Sequence, residues 1–177
     1  MAKIGAKDYI DLTITGYEFP DKETELKADL WDVNWVNVHL KARKGRAVWE
    51  GDCPCLQTSD VYDLAVWFSG LATGKRIKRN LHFTENALEF KRKGDIVEAH
   101  LGWRFSLNGK KAILEIPIKK DECLAFAIDL MRYYLKFPPR GVEDYRTNVF
   151  LDLLIGLDDL KKEREGKIKL KRTKIVR

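Results

Sequence analysis

Polar and apolar residues alternate along most of the first 140 positions, and the period of that alternation changes three times. From Tyr9 to Thr15, Ile10, Leu12 and Ile14 alternate with Asp11 and Thr13, the period-2 signature of a strand with one buried face. Gly16 to Pro20 ends it. Val36, Val38, Leu40 and Ala42 repeat the pattern against Asn37, His39 and Lys41. Lys44-Gly45 predicts a turn, and Arg46 to Glu50 returns as a short strand carrying Trp49. This hairpin lies within Trp31 to Thr58, the stretch around which the chain is organised. Pro54 predicts an end to the pairing, with Thr58 or Ser59 placed to cap a helix.

The period then lengthens. Val61, Leu64, Ala65, Phe68 and Leu71 fall at helical spacing, predicting a helix over about 59–73 that Gly74 stops. Lys75 to Arg79 is a basic loop. Short strands follow at Leu81 to Phe83 and Ala87 to Phe90, then a turn at Lys91 to Asp95 and a long alternation from Val97 to Phe105. Asn108-Gly109 is the strongest hairpin signal in the chain, because both residues tolerate positive φ. Ala112, Leu114, Ile116 and Ile118 alternate back, with Pro117 suiting an edge or a strand end. Asp121 is placed to cap a second helix over about 121–136, and Pro138-Pro139 terminates it.

Beyond that, Val149, Phe150, Leu153, Leu154, Leu157 and Leu160 predict a third helix over 144–162, interrupted at Gly156 and docking on the body or on a second copy of the chain. The expected architecture is α+β. It has a curved, mainly antiparallel sheet of six or seven strands, two helices and a C-terminal helical extension. Residues 1–139 would form the domain, and 140–177 the extension with its tail.

Charge changes this picture once it is located. The chain carries +6 overall, yet residues 161–177 alone hold nine Lys or Arg and two Glu, a net of +7, so the first 160 residues carry −1. The basic character belongs to a tail. Such a tail suits nucleic acid or an anionic surface, but a solvated terminus is the preferred reading. The body has one dense acidic stretch, Glu18 to Asp32, with six acidic and two basic residues. No apolar run approaches the roughly 18–20 residues of a membrane span. Three cysteines in 177 residues do not make a disulfide framework, so the expected compartment is the cytoplasm.

Candidate chemistry is sparse. Cys53-Pro54-Cys55 offers two thiolates, but zinc needs four N or S ligands and no second pair exists; His39, His82 and His100 all fall in strand alternations. Neither a metal nor a cofactor is expected, and the cysteines read as small buried hydrophobes. Ser59, Ser69 and Ser106 lie in no nucleophile elbow, and Gly70 to Lys75 lacks the spacing of a phosphate-binding loop. An enzyme is not expected, with a hydrolase assembled from distant residues as the minor option. Trp103 and Trp49 suit a core. Trp35 is out of phase with Val36 and Val38 and suits either the opposite face or an exposed position.

Several short stretches carry a resemblance. Gly16-Tyr17-Glu18-Phe19-Pro20, Asp32 to Val38, Pro54-Cys55-Leu56-Gln57-Thr58, Leu81 to Phe90 and Lys136-Phe137-Pro138 occur in an order that resembles the WapI-type bacterial immunity proteins, small cytoplasmic antidotes to contact-delivered toxins. The likeness covers about residues 8–138. Cys53 departs from it, standing where Asp-Pro-Cys is expected, and the extension after Pro139 lies outside it. The resemblance implies a protein that binds and neutralises a toxin domain, with a tRNA-cleaving nuclease as one such toxin. The alternative is a nucleic-acid-binding or assembly module using the tail at 161–177, and a homodimer is among the expected assemblies. Nuclease clefts face polyanions and tend to be basic, so an acidic surface suits their inhibitor. The candidate contacts are Glu18, Asp21, Glu23, Glu25, Asp29 and Asp32, with Trp35 as aromatic anchor.

Overall fold

The computed structural model describes residues 1–21, 32–105 and 111–141. Strands β1 (Ala2–Ile4), β2 (Tyr9–Tyr17), β3 (Trp35–Lys44) and β4 (Ala47–Gln57) form one antiparallel meander in the order β1-β2-β3-β4. Helix α1 (Thr58–Thr73) follows directly. A second meander, β5 (Asn80–His82), β6 (Leu88–Lys93), β7 (Ile96–Leu101) and β8 (Ala112–Pro117), leads into α2 (Lys120–Lys136). The chain thus repeats one plan: four antiparallel strands, then a helix.

The α+β class and both helices agree with the sequence, but the single curved sheet of six or seven strands is replaced by two sheets of four. Period-2 alternation specifies a strand and its buried face, not the neighbour across its far edge. That edge is decided here by β4, whose Gly51 packs against the turn at Trp103–Phe105; a Cβ there would sit 3.3 Å from the Arg104 carbonyl oxygen. The alternation expected to run to Phe105 stops at Leu101 for a related reason. Gly102 donates its N–H to the Ala87 carbonyl at 2.8 Å and leaves no room for a side chain. Phe105 then closes a 3-10 turn back onto Gly102 at 3.2 Å. Lys44 Nζ of the first sheet donates to the Ile113 carbonyl of the second at 3.0 Å.

Pro54 does not end β4. The register moves from Val36↔Leu56 to Val38↔Cys53, placing one extra residue on β4, so the proline sits at a β-bulge on an edge strand where no ladder donor is needed. A second bulge lies in β2, between Ile14 and Gly16. Gln57, not Thr58 or Ser59, caps α1; its N–H is accepted by Asp60 Oδ2 at 2.8 Å, the reciprocal half of a capping box. Gly74 closes the helix in the left-handed conformation at φ 72°, which glycine adopts without steric cost. The strand β1 is additional to the expected set; Ala2 and Ile4 are buried in it, but three residues carry too little pattern to be recognised.

The two helices pack on each other and share one buried core with both sheets. Phe68 of α1 is the junction: its ring meets Phe126 of α2 at 4.6 Å, Phe90 of β6 at 5.4 Å and Trp67 at 5.1 Å, all edge-on. Edge-to-face contact aligns a positive ring edge with a negative face and adds to the burial term. The expected turn at Asn108-Gly109 lies outside the described residues, although the strands it would join, β7 and β8, are antiparallel neighbours. The expected helix at 144–162, Gly156 and the tail at 161–177 also lie outside them. Among the described residues no helix is long and apolar enough to cross a membrane.

Candidate partner-binding corner

The acidic stretch begins just after β2, and its last residue, Asp32, opens a short 3-10 turn, Asp32–Asn34, just before β3. The β2 bulge re-aims the strand so that Gly16 and Tyr17 pair with Asn37 and Val36. The Asn37 side-chain amide donates to the Tyr17 carbonyl at 3.2 Å, and Glu18 N–H donates to the Trp35 carbonyl at 2.9 Å. The two ends of the stretch are therefore held side by side.

Arg140, four residues past α2, closes the corner. Its guanidinium lies over the Tyr17 ring, 3.5 Å from the centroid, and donates from Nη1 to the Phe19 carbonyl at 2.8 Å and from Nη2 to the Pro20 carbonyl at 3.3 Å. Asn34 grips its backbone: Oδ1 accepts the Arg140 N–H at 2.7 Å, and Nδ2 donates to the Arg140 carbonyl at 3.2 Å. Thr58 at the start of α1 donates to the same Asn34 oxygen at 3.5 Å. Tyr17 completes the arrangement, donating its hydroxyl to the Pro138 carbonyl while its ring meets Phe137 edge-on at 5.6 Å. A planar five-donor group is suited to this work, since it can stack and donate to two carbonyls at once.

Of the candidate contact residues, Glu18 and Asp32 are half-buried at the two ends of the stretch and Asp21 is exposed. Trp35 is 9% exposed, so its ring faces inward and its carbonyl, accepting from Glu18, does the positioning. Glu23, Glu25 and Asp29 lie outside the described residues. Periodicity gave no sign of Arg140, Asn34 or Tyr17 as partners; Arg140 is 106 residues from Asn34 and 121 from Phe19 in sequence.

The histidines sit in strands as expected and are paired: His39 with Asp52 at 3.0 Å, His82 with Glu89 at 2.9 Å and His100 with Glu98 at 3.3 Å. The last two line a pocket of about 210 Å³ in the second sheet, together with Lys111. Glu98 also pairs with Lys93, which together with His100 holds its carboxyl below the usual range. Among the described residues no group of three or more His, Cys, Asp or Glu is disposed to hold a metal.

Comparison with protein families decides the kinship: the model of the WapI-like immunity protein family matches residues 2–138. The chain belongs to that family. Comparison with curated proteins and with solved structures gave no match. Four of the five stretches that carry the family likeness meet at this one corner. Tyr17, Phe19 and Pro20 come from the first, Asn34 from the second, Thr58 from the third, and Phe137 and Pro138 from the last.

Proposed function

We propose that the protein neutralises a toxin domain by binding it directly in the cytoplasm, with the acidic stretch Glu18–Asp32 as the principal contact. The observation that carries this reading is the convergence of the family's stretches on the corner from which the acidic stretch springs, in a chain that belongs to an immunity family. Net charge of −4 in fifteen residues complements the basic cleft of a nuclease acting on RNA, and tRNA-cleaving domains are the toxin class proposed. The role asks for occlusion and not for chemistry, so no catalytic step is assigned. Glu18, Asp21 and Asp32 frame the contact, Glu23, Glu25 and Asp29 supply its centre, and Trp35 backs it from beneath.

The test begins with the toxin encoded next to this chain, co-expressed with it to establish protection. A charge-reversal series at Glu23, Glu25 and Asp29 is then measured for association and dissociation at several salt concentrations. Progressive slowing of association, diminishing as salt rises, is expected. Protection with wild-type kinetics in the triple variant would move the contact elsewhere on the protein, and absence of protection by the unaltered chain would remove the toxin reading itself.

A further inference from the structure

The loop from Lys75 to Arg79 joins α1 to β5 and carries four cations, Lys75, Arg76, Lys78 and Arg79, all exposed. An exposed connector is ordinarily more mobile than the elements it joins. This one is held at three points. The Trp67 indole Nε1–H donates to the Lys78 carbonyl at 2.8 Å, and the Arg92 N–H donates to the Arg79 carbonyl at 2.8 Å. Beside them, Ile77 is half-buried against α1 at Gly70, where a Cβ would sit 2.2 Å from the Ile77 Cγ2. Trp67 itself is only 3% exposed, so the loop is tied to the core.

The backbone is fixed while the charges are left open. Among the described residues, none of the four side chains has an ion-pair or hydrogen-bond partner. The strand next to the loop is treated differently: Lys91 of β6 pairs with Glu89 at 3.1 Å, and Lys93 with Glu98 at 2.5 Å. The C-terminus of α1 does not account for the cluster. Its carbonyls amount to about half an elementary negative charge, felt within the last turn, which Lys75 alone offsets.

What the loop can grip follows from what it does not expose. Residues 75–79 present no aromatic or large aliphatic side chain to solvent, because Ile77 is turned in against the core. A protein partner is gripped through an aromatic or apolar anchor, and a membrane surface takes an inserted apolar face. A nucleic acid backbone needs neither. Its phosphates recur every ~3.4 Å of rise along one strand, and the chain from Lys75 to Arg79 spans at most about 14 Å, the reach of roughly four phosphates. Arg76 and Arg79 add planar forks that match two phosphate oxygens at once.

We propose that Lys75, Arg76, Lys78 and Arg79 form a docking site for the phosphate backbone of a nucleic acid strand, read by charge and not by sequence. The site is separate from the acidic corner. Thr58 begins α1 at that corner and Gly74 closes it beside the loop, so about 24 Å of helix lies between them. Because the loop backbone is already anchored, less order has to be imposed when the strand binds.

The unaltered full-length chain is titrated into fluorescein-labelled single-stranded RNA and DNA of mixed sequence, and anisotropy is read at several salt concentrations. The comparison is a variant carrying Lys75→Gln, Arg76→Gln, Lys78→Gln and Arg79→Gln together, which keeps the tail at 161–177 and so isolates the loop. At roughly 0.7 per phosphate contact, the slope of log K against log salt is expected to shrink by about 3, with at least ~tenfold weaker binding at low salt, for RNA and DNA alike. Single substitutions leave Ile77 and both backbone bonds in place, and each is expected to shrink the slope by roughly 0.7. Lys7→Gln, Arg46→Gln, Lys111→Gln and Lys120→Gln together remove the same charge from other exposed positions, and that variant is expected to bind like the unaltered chain. No binding by the unaltered chain, an unchanged slope in the loop variant, or an equal loss in the charge-matched variant would each overturn the proposal. So would loop-dependent binding to phosphatidylserine vesicles or to polyglutamate that exceeds binding to nucleic acid.

Discussion

Replacing Asn34 by alanine removes the contact through which the first meander grips the chain beyond α2. Its amide makes two bonds to the Arg140 backbone, at 2.7 and 3.2 Å, and the side chain is in a residue only 8% exposed. At about 0.5–1.5 kcal/mol net per bond, the loss is about 1–3 kcal/mol. The lower half of that range applies if water reaches the released Arg140 N–H, which its half-buried position permits. For a chain of this length, each kcal/mol moves Tm by roughly 2–4 °C, so the expected fall is roughly 2–8 °C. Urea unfolding followed by tryptophan fluorescence is expected to show a lower midpoint with the slope unchanged. Arg140→Ala supplies the comparison: it keeps the backbone pair with Asn34 but loses two carbonyl bonds and the stacking on Tyr17. The two substitutions share partners, so the double variant should lose less than their sum. An Asn34→Ala protein within about 0.5 kcal/mol of the unaltered chain would refute the clamp.

Three other outcomes follow from the packing and charge. Phe68→Ala empties the space between α1, α2 and β6 and should cost about 3–5 kcal/mol by denaturant unfolding; a cost under 1 kcal/mol would mean the three rings do not share a core. Gly102→Ala places a Cβ 2.5 Å from the Asn86 carbonyl oxygen and 2.9 Å from the Ala87 Cα, both backbone, so about 1–3 kcal/mol is expected and an unchanged midpoint would contradict that close approach. Glu98 has a folded-state pKa below its ordinary 4.5, chiefly through its bond to Lys93, so it binds protons less readily folded than unfolded; its contribution is present above pH 4.5 and is lost as pH falls through the folded value. Glu98→Gln should therefore flatten the acid limb of the stability–pH curve below 4.5, and an acid limb identical to that of the unaltered chain would argue against the pairing.

Much of the fold was legible because period and punctuation coincide. Val61 to Leu71 could only bury one face as a helix, and Gly74 ends it in the conformation that glycine was expected to supply. The same logic failed where the deciding interaction is remote. Nothing near Leu101 announces that the strand must stop, since the obstacle is the backbone of Ala87 pressed against Gly102. Pro54 looked like a terminator because a proline inside a ladder forfeits a bond, and only the edge position of β4 with its bulge removes that cost. The corner was the least legible of all. Arg140 follows two prolines in a segment without periodicity, and its partners are carbonyl oxygens, which sequence does not distinguish.

The clamp also bears on why such a corner suits recognition. The entropic cost of closing a loop is smaller when its ends are already fixed at a short separation. Both ends of 21–32 are fixed here by the Arg140 guanidinium and the Asn34 amide, groups anchored to a sheet and two helices. Arg140 spends its guanidinium on the Phe19 and Pro20 carbonyls at the base of the acidic stretch. On the proposed reading, the body is a rigid mount, and specificity resides in ten residues that can change without disturbing it. Scaffold and contact then separate physically: substitutions at Tyr17, Asn34 or Arg140 act through stability, and substitutions at Glu23, Glu25 or Asp29 through association rate.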